Sequence, residues 1–211
     1  MSAKTKYHHG NLKRALMDEA LRVVGEKGVA ALSLREVAAA LGVSHTAPYH
    51  HFADKAALIH ALAHEGMALM DERMAAAEKA AGDDAGARLL GIGTAYVTFA
   101  VERPDYYAAM SAPEIATSSE PPPQTEEASG DTWKRLLRAV VAGQAAGVLP
   151  DGDPMLLGVH LWSLVHGLVQ LWRTGPLQYL PQASNGLEPL ARDVLSVMGV
   201  GKPRDERDGQ R

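Results

Sequence analysis

Residues 33–55 read SLREVAAALGVSHTAPYHHFADK, and this stretch leaves few folds open to the chain around it. Ser33 followed three residues later by Glu36 is the pattern of a capping box, in which each side chain satisfies a free N–H at a helix start. Leu34, Val37, Ala38 and Leu41 recur at i, i+3, i+4 and i+7 and give that helix one apolar face. Gly42 can take the positive φ that closes a helix, Val43 is apolar enough to plug the turn, and Ser44 offers a second N-cap. The spacing predicts two short helices around a tight turn, with a third helix capped by Asp54. Pro48 falls at the fourth position of the second helix, where its missing N–H removes the first intrahelical bond. A tightened or irregular first turn is expected there.

That second helix carries His45, Thr46, Tyr49, His50 and His51, all hydrogen-bonding groups and almost none charged. Such side chains can donate to phosphate oxygens or read base edges in a major groove. The residues now carry a resemblance. With Leu41-Gly42-Val43-Ser44, Tyr49-His50-His51-Phe52 and Lys55 in place, the stretch resembles the DNA-binding signature of the TetR family of bacterial transcriptional regulators. Ala47-Pro48-Tyr49 and the later Trp162-x-x-x-His166-Gly167 are similar to one subgroup of it. The resemblance is tight over the first quarter of the chain and elsewhere extends only to the helical layout. It implies a repressor that binds a palindromic operator on double-stranded DNA as a homodimer and is released by a small-molecule effector. The DNA-contacting set is then Arg35, Ser44, His45, Thr46, Tyr49, His50, His51 and Lys55. Tyr49, His51 and Lys55 would anchor phosphates with support from Arg35, while His45, Thr46 and His50 face bases.

Charge is distributed to match. The net of −4 hides a basic end: residues 1–60 hold 8 Lys+Arg against 5 Asp+Glu, a net of +3, and the remainder carries −7. A modest local positive field suffices where two copies add their phosphate contacts. Absence of cysteine excludes disulfide and thiolate chemistry and fits a reducing cytoplasm. The start of the sequence has no apolar signal segment, so nothing argues for export.

The rest reads as all-α, because alanine, leucine and glycine dominate and β-branched alternation is missing. Residues 1–10 read as a mobile arm, 11–55 as a three-helix DNA-binding domain and 56–198 as a helical ligand-binding and dimerisation domain. A charged, disordered tail is expected over 199–211. Asn11 would cap the first helix and Gly28 stop it. The helix from Asp54 should run to about Ala81, and Asp84-Ala85-Gly86 separates it from one that must stop before Pro104. A short helical turn carries Tyr106, Tyr107 and Met110. Residues 112–130 hold four prolines and read as a flexible loop. Asp131 or Thr132 would cap the next helix, and residues 185–198 form the last.

Residues 153–173 are apolar nearly all round, which buries a helix on more than one side. Two histidines, Ser163 and Gln170 interrupt it, so it is not read as a membrane span. A second copy of the chain is the expected other surface, with the last two helices of each subunit forming a four-helix bundle. Tyr96, Phe99, Tyr106, Tyr107, Met110, Trp133 and Trp162, with His166 and Gln170 as the polar groups, are the candidate walls of an effector site. Such walls suit an uncharged, aromatic or lipid-like guest, although aromatics at helical spacing more commonly fill a core. No catalytic residue, metal ligand set or cofactor is expected: no glycine-rich phosphate loop or nucleophile elbow is present. His60 and His64 at i, i+4 lack a third ligand. Two other classes stay open: a helical enzyme or metal-binding protein built on His160 and His166, and an interaction module without DNA binding.

Overall fold

A computed structural model describes residues 12–116 and 129–197. The expectations for the N-terminal arm, the Asn11 cap, the centre of the 112–130 loop, Met198 and the tail lie outside the described residues. Within them all regular structure is helical. The α-helices are α1 (Leu12–Lys27), α2 (Leu34–Ala40), α3 (Lys55–Ala81), α4 (Ala85–Glu102), α5 (Pro104–Met110), α6 (Pro113–Ala116), α7 (Ser129–Ala145), α8 (Pro154–Thr174) and α9 (Leu187–Val197). Two compact units result, one holding residues 12–66 and 104–116, the other 67–103 and 129–197. The chain passes from one to the other inside α3.

In the first unit, α1 packs against α2 and α5. Leu16, Val37, Ala38, Leu58, Ile59 and Leu62 are fully enclosed, as are Tyr106 and Tyr107 of α5. Gly66 makes this possible. A Cβ there would lie 2.9 Å from Met110 Sδ and 3.1 Å from Tyr106 Cβ, so α5 approaches α3 where only glycine leaves room. A polar contact reinforces the joint: Arg14 of α1 donates to Glu65 Oε1 of α3 at 2.5 Å and pairs with Asp18 at 2.7 Å. Burial, and next the Glu65 carboxylate, raise the Tyr106 phenol above its ordinary pKa.

In the second unit α4 is central, packing on α7, α8 and α9, with Ile92, Val97 and Phe99 buried. Arg135 of α7 spans to α3, with its Nε and Nη2 on the two oxygens of Asp71 at 3.0 and 2.9 Å and its Nη1 on Glu78. The Asp71 contact, the largest cause, and Glu78 hold the guanidinium above its ordinary pKa against the cost of burial. This clamp carried no sequence signal, since its residues are 64 and 57 positions apart.

Several expectations need correction. Ser33 stands at the N-cap of α2 in extended backbone, but its side chain makes no capping bond; only its carbonyl is used, accepting from Val37 N–H at 3.0 Å. The stop is as expected: Gly42 has φ +67°, its N–H donates to Ala39 O, and the Val43 N–H reaches back to Ala38 O. Ala85 and Gly86 belong to α4, capped by Asp84, whose Oδ1 accepts from Ala87 N–H. Residues 113–116 are helical and α7 already begins at Ser129, both within the stretch read as loop. The final helix starts at Leu187, after two 3-10 turns, Pro176–Tyr179 and Pro181–Ala183, kept apart by Leu180, which Pro181 holds in extended backbone.

Candidate nucleic-acid interface and effector site

The largest departure lies in the stretch after Gly42. No second α-helix forms; Ala47–His50 is a 3-10 turn. The cause is Pro48. The Ser44 carbonyl cannot receive an N–H from residue 48, so it takes Ala47 N–H at 3.0 Å, and the tighter i to i+3 pattern then continues. Tyr49 N–H donates to Thr46 O and His51 N–H to Pro48 O; an i to i+4 bond returns only with Phe52 N–H, also to Pro48 O. Ser44 is therefore not a helix cap, and its hydroxyl shares a 3.1 Å hydrogen bond with Thr46 Oγ1. Pro48 and Phe52 are buried and fix the inner side.

Seven of the eight residues expected to contact DNA stand outward. Ser44, His45, Thr46, Tyr49, His50 and His51 are exposed on this one segment, and Arg35 is exposed on α2. Lys55 differs. It is the first residue of α3, a third exposed, with its ammonium 3.3 Å from Ala30 O and 3.7 Å from Glu114 Oε1 of α6. Asp54 caps that helix by accepting from Ala57 N–H at 2.8 Å.

The nine effector-site candidates do not form one set. Tyr106, Tyr107 and Met110 belong to the first unit, where the two tyrosines are core. Phe99 is fully buried in the second, with the Arg73 guanidinium 5.5 Å from its ring centre. Tyr96, Trp133, Trp162, His166 and Gln170 do come together. Tyr96 Oη and His166 Nδ1 share a 2.9 Å hydrogen bond, and Gln170 Nε2 is 3.5 Å from His166 Nε2. Trp162 meets both Trp133 and His166 edge to face, with ring centres 6.2 Å apart in each case. Burial lowers the His166 pKa, which favours a neutral ring between a phenol and an amide. His160 does not join this cluster and is exposed. Among the described residues no three His, Asp or Glu side chains gather as a metal site.

Sequence reasoning missed how far the apolar surface of α8 exceeds that of α9. Leu156 is 68% exposed and Met155, Val159, Trp162 and Leu171 are between 43% and 49%. On α9, Leu190, Ala191 and Leu195 are buried in the unit's own core. Leu190 is therefore a folding residue. By length and composition α8 is also the one described helix apolar enough to cross a membrane, but Leu161, Val165, Leu168 and Val169 pack it into the helical core.

Comparison with known proteins bears on both units. Residues 16–62 match the family of bacterial regulatory proteins, tetR family, and residues 89–194 match the tetracyclin repressor-like C-terminal domain. The chain is 41% identical over 58 residues to the HTH-type transcriptional regulator AcrR of Shigella flexneri, covering 28% of this chain and 27% of that one. It is 36% identical over 69 residues to the HTH-type transcriptional regulator BetI of Rhizobium meliloti (strain 1021), covering 33% and 34%. The chain thus spans about a third or less of the curated relatives it matches. A solved structure of a protein of unknown function from Rhodococcus sp. RHA1 aligns over 95% of this chain and all of its own, with 31% identity and a TM-score of 0.74.

Proposed function

Because the chain belongs to the tetR family of bacterial regulatory proteins, we propose that it is a cytoplasmic DNA-binding transcriptional regulator, a repressor released by a small, mostly apolar effector. The observation that carries this reading is the shared exposure of Ser44, His45, Thr46, Tyr49, His50 and His51 on a segment anchored behind by buried Pro48 and Phe52. A surface rich in hydrogen-bonding groups, rigidly backed and flanked by Arg35 and Lys55, suits a major groove and its phosphates. Tyr49, His51 and Lys55 act on the backbone with Arg35 behind them, and His45, Thr46 and His50 face bases.

The exposed apolar face of α8 supports a homodimer, since an uncharged row from Met155 to Leu171 has to be covered to keep the protein soluble. Two copies then present two reading segments to a palindrome. The effector reading rests on the Tyr96–His166–Gln170 spine walled by Trp133 and Trp162, which offers sparse polar groups among aromatic rings. Enrichment of bound duplexes from a random pool tests the central claim. A two-fold symmetric consensus is expected, with affinity falling steeply as salt rises. Binding that ignores salt and yields no consensus would sink it.

A further inference from the structure

Lys55 is placed against the ordinary electrostatics of a helix. The N-terminal turn carries partial positive charge and disfavours cations, yet Lys55 is the first residue of α3. Its ammonium is held instead by Ala30 O at 3.3 Å and by the Glu114 carboxylate at 3.7 Å. Glu114 comes from a distant part of the chain, on the short helix α6 that follows α5. The enclosure of Tyr106 and Tyr107, and the close seat of Met110 and Tyr106 on Gly66, fix α5 within the first unit. Glu114 is only four residues beyond Met110, so that seat determines where its carboxylate can reach.

We propose that Glu114 is a positioning residue for DNA binding: a built-in competitor that occupies the Lys55 ammonium and is displaced when that ammonium takes an operator phosphate. The proposal rests on the DNA-binding reading of Lys55. A carboxylate and a phosphate diester oxygen are alternative acceptors for the same cation, and both cannot hold it at full strength. The α5–α6 segment therefore sets how much of the Lys55 charge is available to DNA. A shift of that segment in either direction alters affinity without touching the reading residues. Since only Arg103 separates α4 from α5, the segment is also joined in sequence to the helix that carries Tyr96.

The experiment is a salt titration of the full chain on two duplexes of equal length, one enriched by the wild-type chain and one of random sequence. Glu114→Gln should tighten binding to both by about fivefold and steepen the salt slope by about one, because one more phosphate is neutralised. Glu114→Asp should return the affinity toward wild type, and in a Lys55→Gln background Glu114→Gln should have no effect. Thermal unfolding of each variant separates loss of fold from loss of competition. Equal affinity of wild type and a folded Glu114→Gln overturns the proposal alone, as does the same gain in the Lys55→Gln background, which would mark a general charge effect. Absence of salt-dependent duplex binding by the wild-type chain overturns the DNA-binding reading as well.

Discussion

Single side chains decide several properties that composition does not reveal. His166 is the clearest. Burial lowers its pKa below the ordinary histidine value near 6.5, so the folded chain keeps the ring neutral at pH values where the unfolded chain begins to protonate it. Its contribution to stability is complete above that unfolded value and is lost as pH falls toward the folded one. Acidifying from pH 7.5 to 5.5 should therefore lower the unfolding free energy of the wild type more than that of His166→Gln, measured by urea titration at each pH. An equal slope in both proteins would refute the assignment. Arg135 sits at the other extreme, with a guanidinium whose charge is matched on both sides. Arg135→Leu leaves the partly buried carboxylates of Asp71 and Glu78 without their cation, and should cost about 2–4 kcal/mol in the same measurement. Arg135→Lys should recover only part of this, since an ammonium cannot bind both Asp71 oxygens in the planar, two-pronged way.

Helices were legible where their signals were local, and the reading failed where a distant residue or a missing N–H took over. The all-helical class, the positive φ at Gly42, the Asp54 cap and the extent of α3 follow from periodicity and cap chemistry within a few residues. The turn at Pro48 was foreseeable as an irregularity, but not as the loss of the whole α-helix, because propagation of the i to i+3 pattern depends on how Phe52 and Pro48 are buried. The candidate effector residues divided between two units for a similar reason. Helical spacing shows which side of α5 is apolar, but not that this side is used up against Gly66 of α3. Gly66→Ala tests that contact. Added against Met110 Sδ and Tyr106, the methyl group should destabilise the first unit by about 1–3 kcal/mol, read as a lower thermal midpoint, whereas Gly167→Ala, with open space around it, should not.

The whole molecule is set by what each unit leaves uncovered. In the second unit α9 turns Leu190 and Leu195 inward, while α8 leaves Leu156 and Val159 facing out. Substitution should separate these roles. Leu156→Arg or Val159→Arg should yield a folded monomer in sedimentation, with helical content retained. Leu190→Arg should unfold the unit instead, because its charge would lie in a closed core. Retention of the wild-type mass by both α8 variants would place the dimer contact elsewhere. If α8 pairs two chains as proposed, its outward face also ties regulation to gene dosage. Where pairing and folding are linked by mass action, the thermal midpoint rises with protein concentration, and below the dimer dissociation constant the concentration of paired chains grows as the square of the number made. Under the proposed reading, a two-fold operator far from saturation then fills steeply with expression, and halving a supply that lies below that constant removes about three quarters of its occupancy.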